Sequence, residues 1–368
     1  IGGKYHSTEE TPYIVLDWDQ TCAFLDVEEA LLRYQLANFR FKLSKEKFST
    51  LLKDEINGIS QLPEDFHSIT LKDINTDLIE EYAFLYDHYV GPKKTMTLQE
   101  LKATPQYQDF LAKLPFLYDG YCETDSIGSE YAYPWVLFLL AGHTIDEVKT
   151  MAKEAISFEL GNGLYKQEWT SPSHLTTHSG SVSYSFKAGL RVLPEMQNLI
   201  ETFTQHGIEV FIVSASYKPV VETFAASGNF GYQVPAENVI AMELAVTADG
   251  VILPEYKPGW VETVRQGKVE AINRIIKQQL GKTLDPLFAA GDSDGDYEML
   301  TGFPGMKLVL IWNRLKGGDI GKLCQQAVDE MKIETPAYIL QGRNENIGMA
   351  IPSSSTILLG KTEARLLP

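Results

Sequence analysis

Tyr13-Ile14-Val15-Leu16-Asp17-Trp18-Asp19-Gln20-Thr21 joins an apolar run of strand length to two carboxylates set one residue apart. An apolar run with no polar alternation is the mark of a parallel strand buried on both faces. Open α/β sheets bind their ligands at the carboxyl ends of such strands, which is where Asp17 and Asp19 stand. A distant stretch, Phe288-Ala289-Ala290-Gly291-Asp292-Ser293-Asp294-Gly295-Asp296, repeats the arrangement. Either Asp-bearing end alone reads as a helix cap or a turn. The two together read as one site for Mg2+ and phosphate.

Outward from the first strand the pattern changes to helical periodicity, in Leu25, Ala30, Leu31, Tyr34, Leu36 and Phe39, then in Leu78, Ile79, Tyr82, Leu85 and Tyr86. A Ser-, Thr-, Gly- and His-rich loop is expected from Thr170 to Ser185 and marks a boundary. Beyond it the spacing predicts a helix over Pro194–His206, opened by Pro and closed by Gly207, then a strand over Ile208–Val213 ending at Ser214. Further expectations are a strand over Val239–Leu244, a hairpin over Val246–Leu253 turning at Asp249-Gly250, and a helix over Val261–Leu280. A strand over Leu287–Ala290, a short helix from Asp296 to Leu300, a strand over Lys307–Ile311 and a helix near Ile320–Met331 come next. The fold class predicted is α/β, a Rossmann-like parallel sheet core with a large, mainly α-helical cap inserted after the first strand. Residues 1–21 and 186–368 form the core and 22–185 the cap.

Composition narrows the function. With 368 residues and 44% hydrophobic content the chain buries a sizeable core. Its 32 Lys and Arg against 49 Asp and Glu give a net charge of −17, with no basic run interleaved with aromatics, so nucleic-acid binding is excluded as the main role. A field of that sign repels phosphate, so a phosphate site must carry its own cations, metal included. Cys22, Cys122 and Cys324 have no CxxC pairing and signal neither zinc nor a disulfide framework. No stretch of about 18 apolar residues is present to span a bilayer. No signal peptide precedes Ile1, and the polar start, Ile1 to Thr11, reads as the edge of a trimmed chain. Oligomeric state has no legible signature.

Asp17 and Asp19, Ser214, Lys268 and Asp292 fall where the predicted strands and helices let them converge. In order, Asp17 to Thr21, Val213-Ser214-Ala215-Ser216, Gly267-Lys268, and Gly291-Asp292-Ser293 with Asp296 resemble the four motifs of haloacid dehalogenase superfamily phosphatases. The fourth is shorter than the family's usual Gly-Asp-Thr-Pro-x-Ser-Asp form. Phosphoryl transfer spreads charge over three equatorial oxygens that must be neutralised while attack and departure are aligned. In that scheme Asp17 is the nucleophile that forms an aspartyl-phosphate, and Asp19 the acid and then the base. Ser214, Ala215 and Lys268 bind the phosphoryl oxygens. The resemblance adds that Asp19 binds the metal through its backbone carbonyl, so that Asp17, Asp19 and Asp292 form an oxygen set suited to Mg2+. Ser293 and Asp296 stand behind it and orient its water. Asp294 reads as a turn or cap residue.

Substrate choice falls to the cap. Tyr82, Tyr86 and Tyr89 recur at helical spacing and read as core packing, whereas Tyr118, Tyr121, Tyr131, Tyr133 and Trp135 are expected on loops punctuated by Gly120, Gly128 and Pro134. Aromatic faces beside a carboxylate suit a quaternary ammonium group. Glu28 or Glu29 supplies that carboxylate, or either serves as a helix N-terminal charge. Tyr133-Pro134-Trp135-Val136, Ala141-Gly142-His143-Thr144, the stretch from Gly207 to Ile240 and Trp312-Asn313-Arg314 resemble bacterial phosphorylcholine phosphatases, although the loop before Tyr133 is longer. That resemblance implies Glu29 as the ammonium ligand, Tyr118, Tyr121 and Tyr133 as cage candidates, and an exported protein. The expected partner is a small phosphate ester carrying a quaternary ammonium group. The alternatives are phosphoserine, phosphoethanolamine or another small ester, or a non-catalytic headgroup-binding protein on the same fold. His174 and His178, four apart, lack a third ligand nearby and read as an exposed loop rather than zinc ligands.

Overall fold

A computed structural model of the protein describes residues 10–92 and 94–367. The polar start and the first part of the expected core segment, up to residue 9, lie outside the described residues. The architecture builds on strand β1, Tyr13–Leu16, fully buried along its length. Between it and the next strand of its sheet come helices α1 (Val27–Ala37), α2 (Leu71–Leu85), α3 (Pro105–Cys122), α4 (Gly128–Phe138) and α5 (Ile145–Gly161), then an antiparallel hairpin of β2 (Tyr165–Thr170) and β3 (Ser183–Ala188). The α/β alternation follows: α6 (Pro194–Gln205), β4 (Glu209–Tyr217), α7 (Lys218–Ala225), β5 (Val239–Met242), the hairpin β6 (Leu244–Val246) and β7 (Ile252–Tyr256), and α8 (Gln266–Ala271). The last elements are β8 (Phe288–Gly291), α9 (Tyr297–Thr301), β9 (Leu308–Trp312), α10 (Gly318–Glu330) and β10 (Tyr338–Gln341).

Six strands make one parallel sheet in the order β10-β9-β8-β1-β4-β5. Alternate residues of β1 enter different cores: Ile14 and Leu16 on one face, Tyr13 and Val15 on the other. That is the expected result of an all-apolar strand with helices on both faces, and the fold is the α/β sheet the sequence predicts. Leu16 lies beside Ala290 on one side and Ile212 on the other, so β1 and β8 end within a residue of each other while β4 runs on past them to Tyr217. The chain leaves β1 to one side for β4 and reaches β8 on the other, a topological switch point at the carboxyl ends.

The insertion leaves and returns to the core through a paired neck, Ala23–Phe24 against Arg191–Val192. Helix α1 starts because the Asp26 side chain accepts from the Glu29 N–H at 2.9 Å, and Thr144 and Glu147 form a reciprocal cap on α5. Tyr82 packs as the sequence predicts, stacked on Phe48 with ring centroids 3.9 Å apart.

Three local expectations differ from the structure. The loop expected over Thr170–Ser185 is shorter, because β2 and β3 extend into it. Its tip is ordered by a buried ion cluster: Lys113 Nζ lies 2.8 Å from Asp77, 2.7 Å from Asp109 and 2.7 Å from Thr177 Oγ1, and Asp77 accepts from the N–H groups of His178 and Ser179. His174 and His178 are exposed in that loop. Secondly, the aromatics expected on loops sit on α3 and α4. Gly120 is interior to α3 because a Cβ there would lie 2.9 Å from Leu62 Cδ1, so close packing rather than a chain turn explains it. Thirdly, the helix expected from Val261 begins at Gln266, after Arg265 at φ 50°, and continues as a π-helix over Ile272–Gln279, while Val264 and Arg265 line the site cavity.

The same ion cluster sets a pH dependence. Burial, reinforced by a hydrogen bond to and repulsion from Asp109, pushes the Glu81 carboxyl up to about 11. Glu81 is therefore protonated in the folded chain and ionised in the unfolded one above about pH 4.5. Its contribution to stability falls as pH rises through that window. Glu81→Gln, which has no proton to lose, is expected to flatten the decline and raise the melting midpoint at pH 8 by at least about 2 °C. Thermal unfolding from pH 5 to pH 9 measures this, and parallel curves for the two proteins would contradict it.

Candidate active site

The carboxyl ends of β8 and β1, with the last residues of β4, open into a cavity of about 210 Å³, roofed by α1, α3 and α4. Asp17 leaves β1 with its N–H bonded to the Ala290 carbonyl at 3.0 Å, which fixes its backbone against β8. Lys268 Nζ lies 2.6 Å from Asp17 Oδ1 and 2.6 Å from Asp296 Oδ1, and all three groups are buried. Lys268 can reach them because α8 starts with a tight approach at Gly267. A Cβ there would sit 1.7 Å from the Glu262 carbonyl oxygen, so no other residue fits without moving the helix.

Asp17, Asp292 and Asp296 each offer an oxygen within 4.8 Å of the others. Their chemistry differs. Asp296 is saturated: Oδ2 accepts from the N–H groups of Asp292 and Ser293 and from the Ser293 hydroxyl, while Oδ1 holds Lys268. Asp292 accepts from Thr21 Oγ1 at 3.2 Å and pairs with Arg314. Burial and repulsion from Asp296 raise the Asp17 carboxyl well above the usual range, with Lys268 acting in the opposite sense. Burial acts against ionisation of Asp292 too, but Arg314 outweighs it and holds that carboxyl low. Burial opposes the charge of Lys268, yet Asp17 and Asp296 keep it firmly protonated. A buried all-oxygen set of this kind fits a hard divalent cation.

Asp19 is held from two sides. Its Oδ2 accepts from Ser216 Oγ at 2.6 Å, and its Oδ1 accepts from the Val27 N–H, at the start of α1, at 2.7 Å. Burial and the neighbouring Asp26 raise its pKa. Ser216 reaches it because the β4–β5 pairing slips between Val213 and Tyr217, a bulge that turns Ala215 and Ser216 toward the cavity. Ser214 is placed differently: it is buried, its hydroxyl accepts from the Ser216 N–H at 3.1 Å, and it does not line the cavity.

On the roof, Tyr118 and Tyr133 line the cavity with Asp26 and Glu28. Burial pushes Asp26 to about 7 and Glu28 to about 8. Tyr121 is not brought to the cavity; it is fully buried, edge-on to Tyr131 and Trp135. Its neighbour Tyr118, three residues back on α3, takes the inward position. Glu29 is not among the lining residues either, and its carboxylate lies 3.3 Å from Arg33. Sequence reasoning assigned no role to Arg314, Ser216 or Asp26. Arg314 was open to inference, being the first charged residue after β9, the strand adjoining β8.

The family model for haloacid dehalogenase-like hydrolases matches residues 183–301, from β3 through the Lys268 and Asp292 segments to the end of α9. The chain carries a haloacid dehalogenase-like hydrolase domain. The helical insertion separates the matched region from Asp17 and Asp19, which the sheet brings back beside Asp292. Phosphorylcholine phosphatase of Pseudomonas aeruginosa is 25% identical over 167 residues, which is 45% of this chain and 42% of that protein. The match thus spans less than half the length of that curated relative. The crystal structure of a conserved, functionally unknown protein from Anaerococcus prevotii DSM 20548 superposes with a TM-score of 0.83 at 30% identity, covering 94% of this chain and 90% of that one. The sheet and its helical insertion therefore recur together in the Anaerococcus protein.

Proposed function

We propose that the protein is a Mg2+-dependent phosphomonoester hydrolase with phosphocholine as its leading substrate. The observation that carries this reading is the cluster of Asp17, Asp292, Asp296 and Lys268 at the floor of a cavity whose roof bears Tyr118 and Tyr133. Residues 22–185 act as a cap over residues 186–368 and the first strand. Asp17, the Asp19 carbonyl and Asp292 would hold Mg2+, which would neutralise charge on the phosphoryl oxygens. Ser293 and Asp296 would support that set from behind.

The carboxylate of Asp17 attacks phosphorus, forming an O–P bond as the bond to the leaving oxygen breaks. Asp19 donates a proton to the departing alkoxide. It then removes one from the water that attacks phosphorus, freeing phosphate and restoring Asp17. Lys268 and the cavity-lining Ala215-Ser216 segment, which Ser214 braces from behind, hold the phosphoryl oxygens through charge and hydrogen bonds. The tyrosines present ring faces to a trimethylammonium group, with Asp26 and Glu29 providing negative charge nearby.

A second reading has an observation in its favour. Arg265, Arg314 and Lys316 also line the cavity, and cations there suit an ester with an additional carboxylate, as in phosphoserine, whose amine the acidic roof would receive. An extracytoplasmic location remains the expectation drawn from the sequence resemblance, and cell fractionation tests it. Among the described residues no helix is long and apolar enough to cross a membrane.

Phosphate release with Mg2+ from phosphocholine, phosphoethanolamine, phosphoserine and p-nitrophenyl phosphate tests both readings. Phosphocholine is expected to have the highest kcat/KM. Tyr133→Leu is expected to raise its KM about tenfold, the loss of a desolvated cation–π contact, while leaving p-nitrophenyl phosphate unaffected. Preference for phosphoserine moves the assignment to the second reading, and no turnover of any ester favours a headgroup-binding protein.

A further inference from the structure

Two hydrogen bonds cross the seam between core and insertion in opposite directions. Asp19, from the core, accepts from the Val27 N–H of α1. Glu28, the next residue on that helix, sends its carboxylate into the core, where Oε2 accepts from the Tyr217 N–H at 3.0 Å. Tyr217 adjoins Ser216, whose hydroxyl holds the other oxygen of Asp19 at 2.6 Å. The circuit is closed: Val27 to Asp19, Asp19 to Ser216, Ser216 through one peptide bond to Tyr217, Tyr217 to Glu28, and Glu28 back to Val27. Glu28 is 8% exposed, and the Tyr217 amide lies at the end of the bulged segment of β4, where the ladder to β5 is interrupted. Its carboxylate is therefore a fixed element of that turn.

We infer that Glu28 is a positioning residue, a latch that fixes the Ser216-Tyr217 turn and thereby orients Asp19 only while α1 is seated on the core. Seating the insertion and assembling the acid–base group are then a single event. Lifting α1 removes the Val27 donor from Asp19 and the Glu28 acceptor from Tyr217 together. In this role Glu28 works as a hydrogen-bond acceptor and its charge is dispensable. The burial that pushes its pKa to about 8 is consistent with a carboxyl acting in neutral form.

The kinetic consequence rests on the proposed phosphatase reaction, but the latch has a readout of its own. In Glu28→Ala the kcat is expected to fall about tenfold, the loss of one buried hydrogen bond that leaves an N–H unpaired. The fall is expected equally for phosphocholine and p-nitrophenyl phosphate, with KM little changed. Glu28→Gln keeps an acceptor and is expected to stay within about threefold of the parent. Amide hydrogen exchange at Val27 and Tyr217 is expected to speed up in Glu28→Ala and to return toward the parent rate in Glu28→Gln. Where the alanine variant fails to fold, Glu28→Asp, charged but one methylene shorter, is expected to behave as alanine does. Equal loss in the alanine and glutamine variants, confined to KM for phosphocholine, would overturn the inference and make Glu28 a substrate ligand. Unchanged exchange at both amides would overturn it too, and that measurement decides the matter even if no ester is turned over.

Discussion

Asp17→Asn is expected to lower phosphate release by at least about a thousandfold and to leave the protein folded. An amide is too weak a nucleophile to form the O–P bond, and the loss of covalent catalysis is among the largest single effects open to an enzyme. Stability moves the other way. Asp17 is buried beside Asp296 and Asp292, and both burial and that repulsion disfavour its charged form. A neutral side chain of the same shape relieves this, so without Mg2+ the variant is expected to melt no lower than the parent. Phosphate release and thermal unfolding of the same samples test the two halves. Near-parental turnover in Asp17→Asn would remove Asp17 from the nucleophile role, and a large drop in melting temperature would show that the lost activity reflects unfolding.

Lys268→Ala is expected to be as damaging to activity and much more so to stability. Its ammonium bridges Asp17 and Asp296 from inside the protein, and among the described residues Arg314 is the other cation paired to this carboxylate cluster. Removing one partner of a buried ion pair leaves uncompensated buried charge, a loss of about 3–5 kcal/mol. Added Mg2+ is expected to recover part of the stability, since a divalent cation at the same carboxylates answers the same repulsion, but little of the activity, since the phosphoryl oxygens lose their donor. Lys268→Arg is expected to restore neither fully. A planar guanidinium does not fit between two oxygens each 2.6 Å from a single nitrogen. Chemical unfolding with and without Mg2+, run beside the phosphate-release assay, decides the point. Stability equal to the parent's in Lys268→Ala would mean that the ion pairs contribute nothing to the fold.

Five of the six strands were legible in the sequence because they are short apolar runs, and a strand buried on both faces has no other composition open to it, whereas the edge strand β10, Tyr338–Gln341, is only partly buried and was not expected. Asp17, Lys268 and Asp292 were legible for a related reason. Each follows a glycine or an apolar strand end in an order that phosphoryl transfer demands, so chemistry and local pattern agree. The insertion was legible as helical but not in detail. Gly120 and Pro134 argue locally for loops, and packing against Leu62 and the neighbouring helices overrides them.

What the sequence alone determined is the α/β class, the position of the insertion and the identity of the charged floor of the site, because these depend on residue type and order along one chain. What only the tertiary structure decided is which side chains face the cavity. Tyr118 faces it and Tyr121 does not, although both lie on α3 within one turn. Glu28 crosses to the Tyr217 amide while Glu29 turns to Arg33. Ser216, not Ser214, reaches Asp19 because a bulge opposite β5 shifts the register of β4. Adjacent residues of a helix point about 100° apart, and a bulge changes which face a strand residue takes, so such choices are made by the partner surface, which a single sequence does not display.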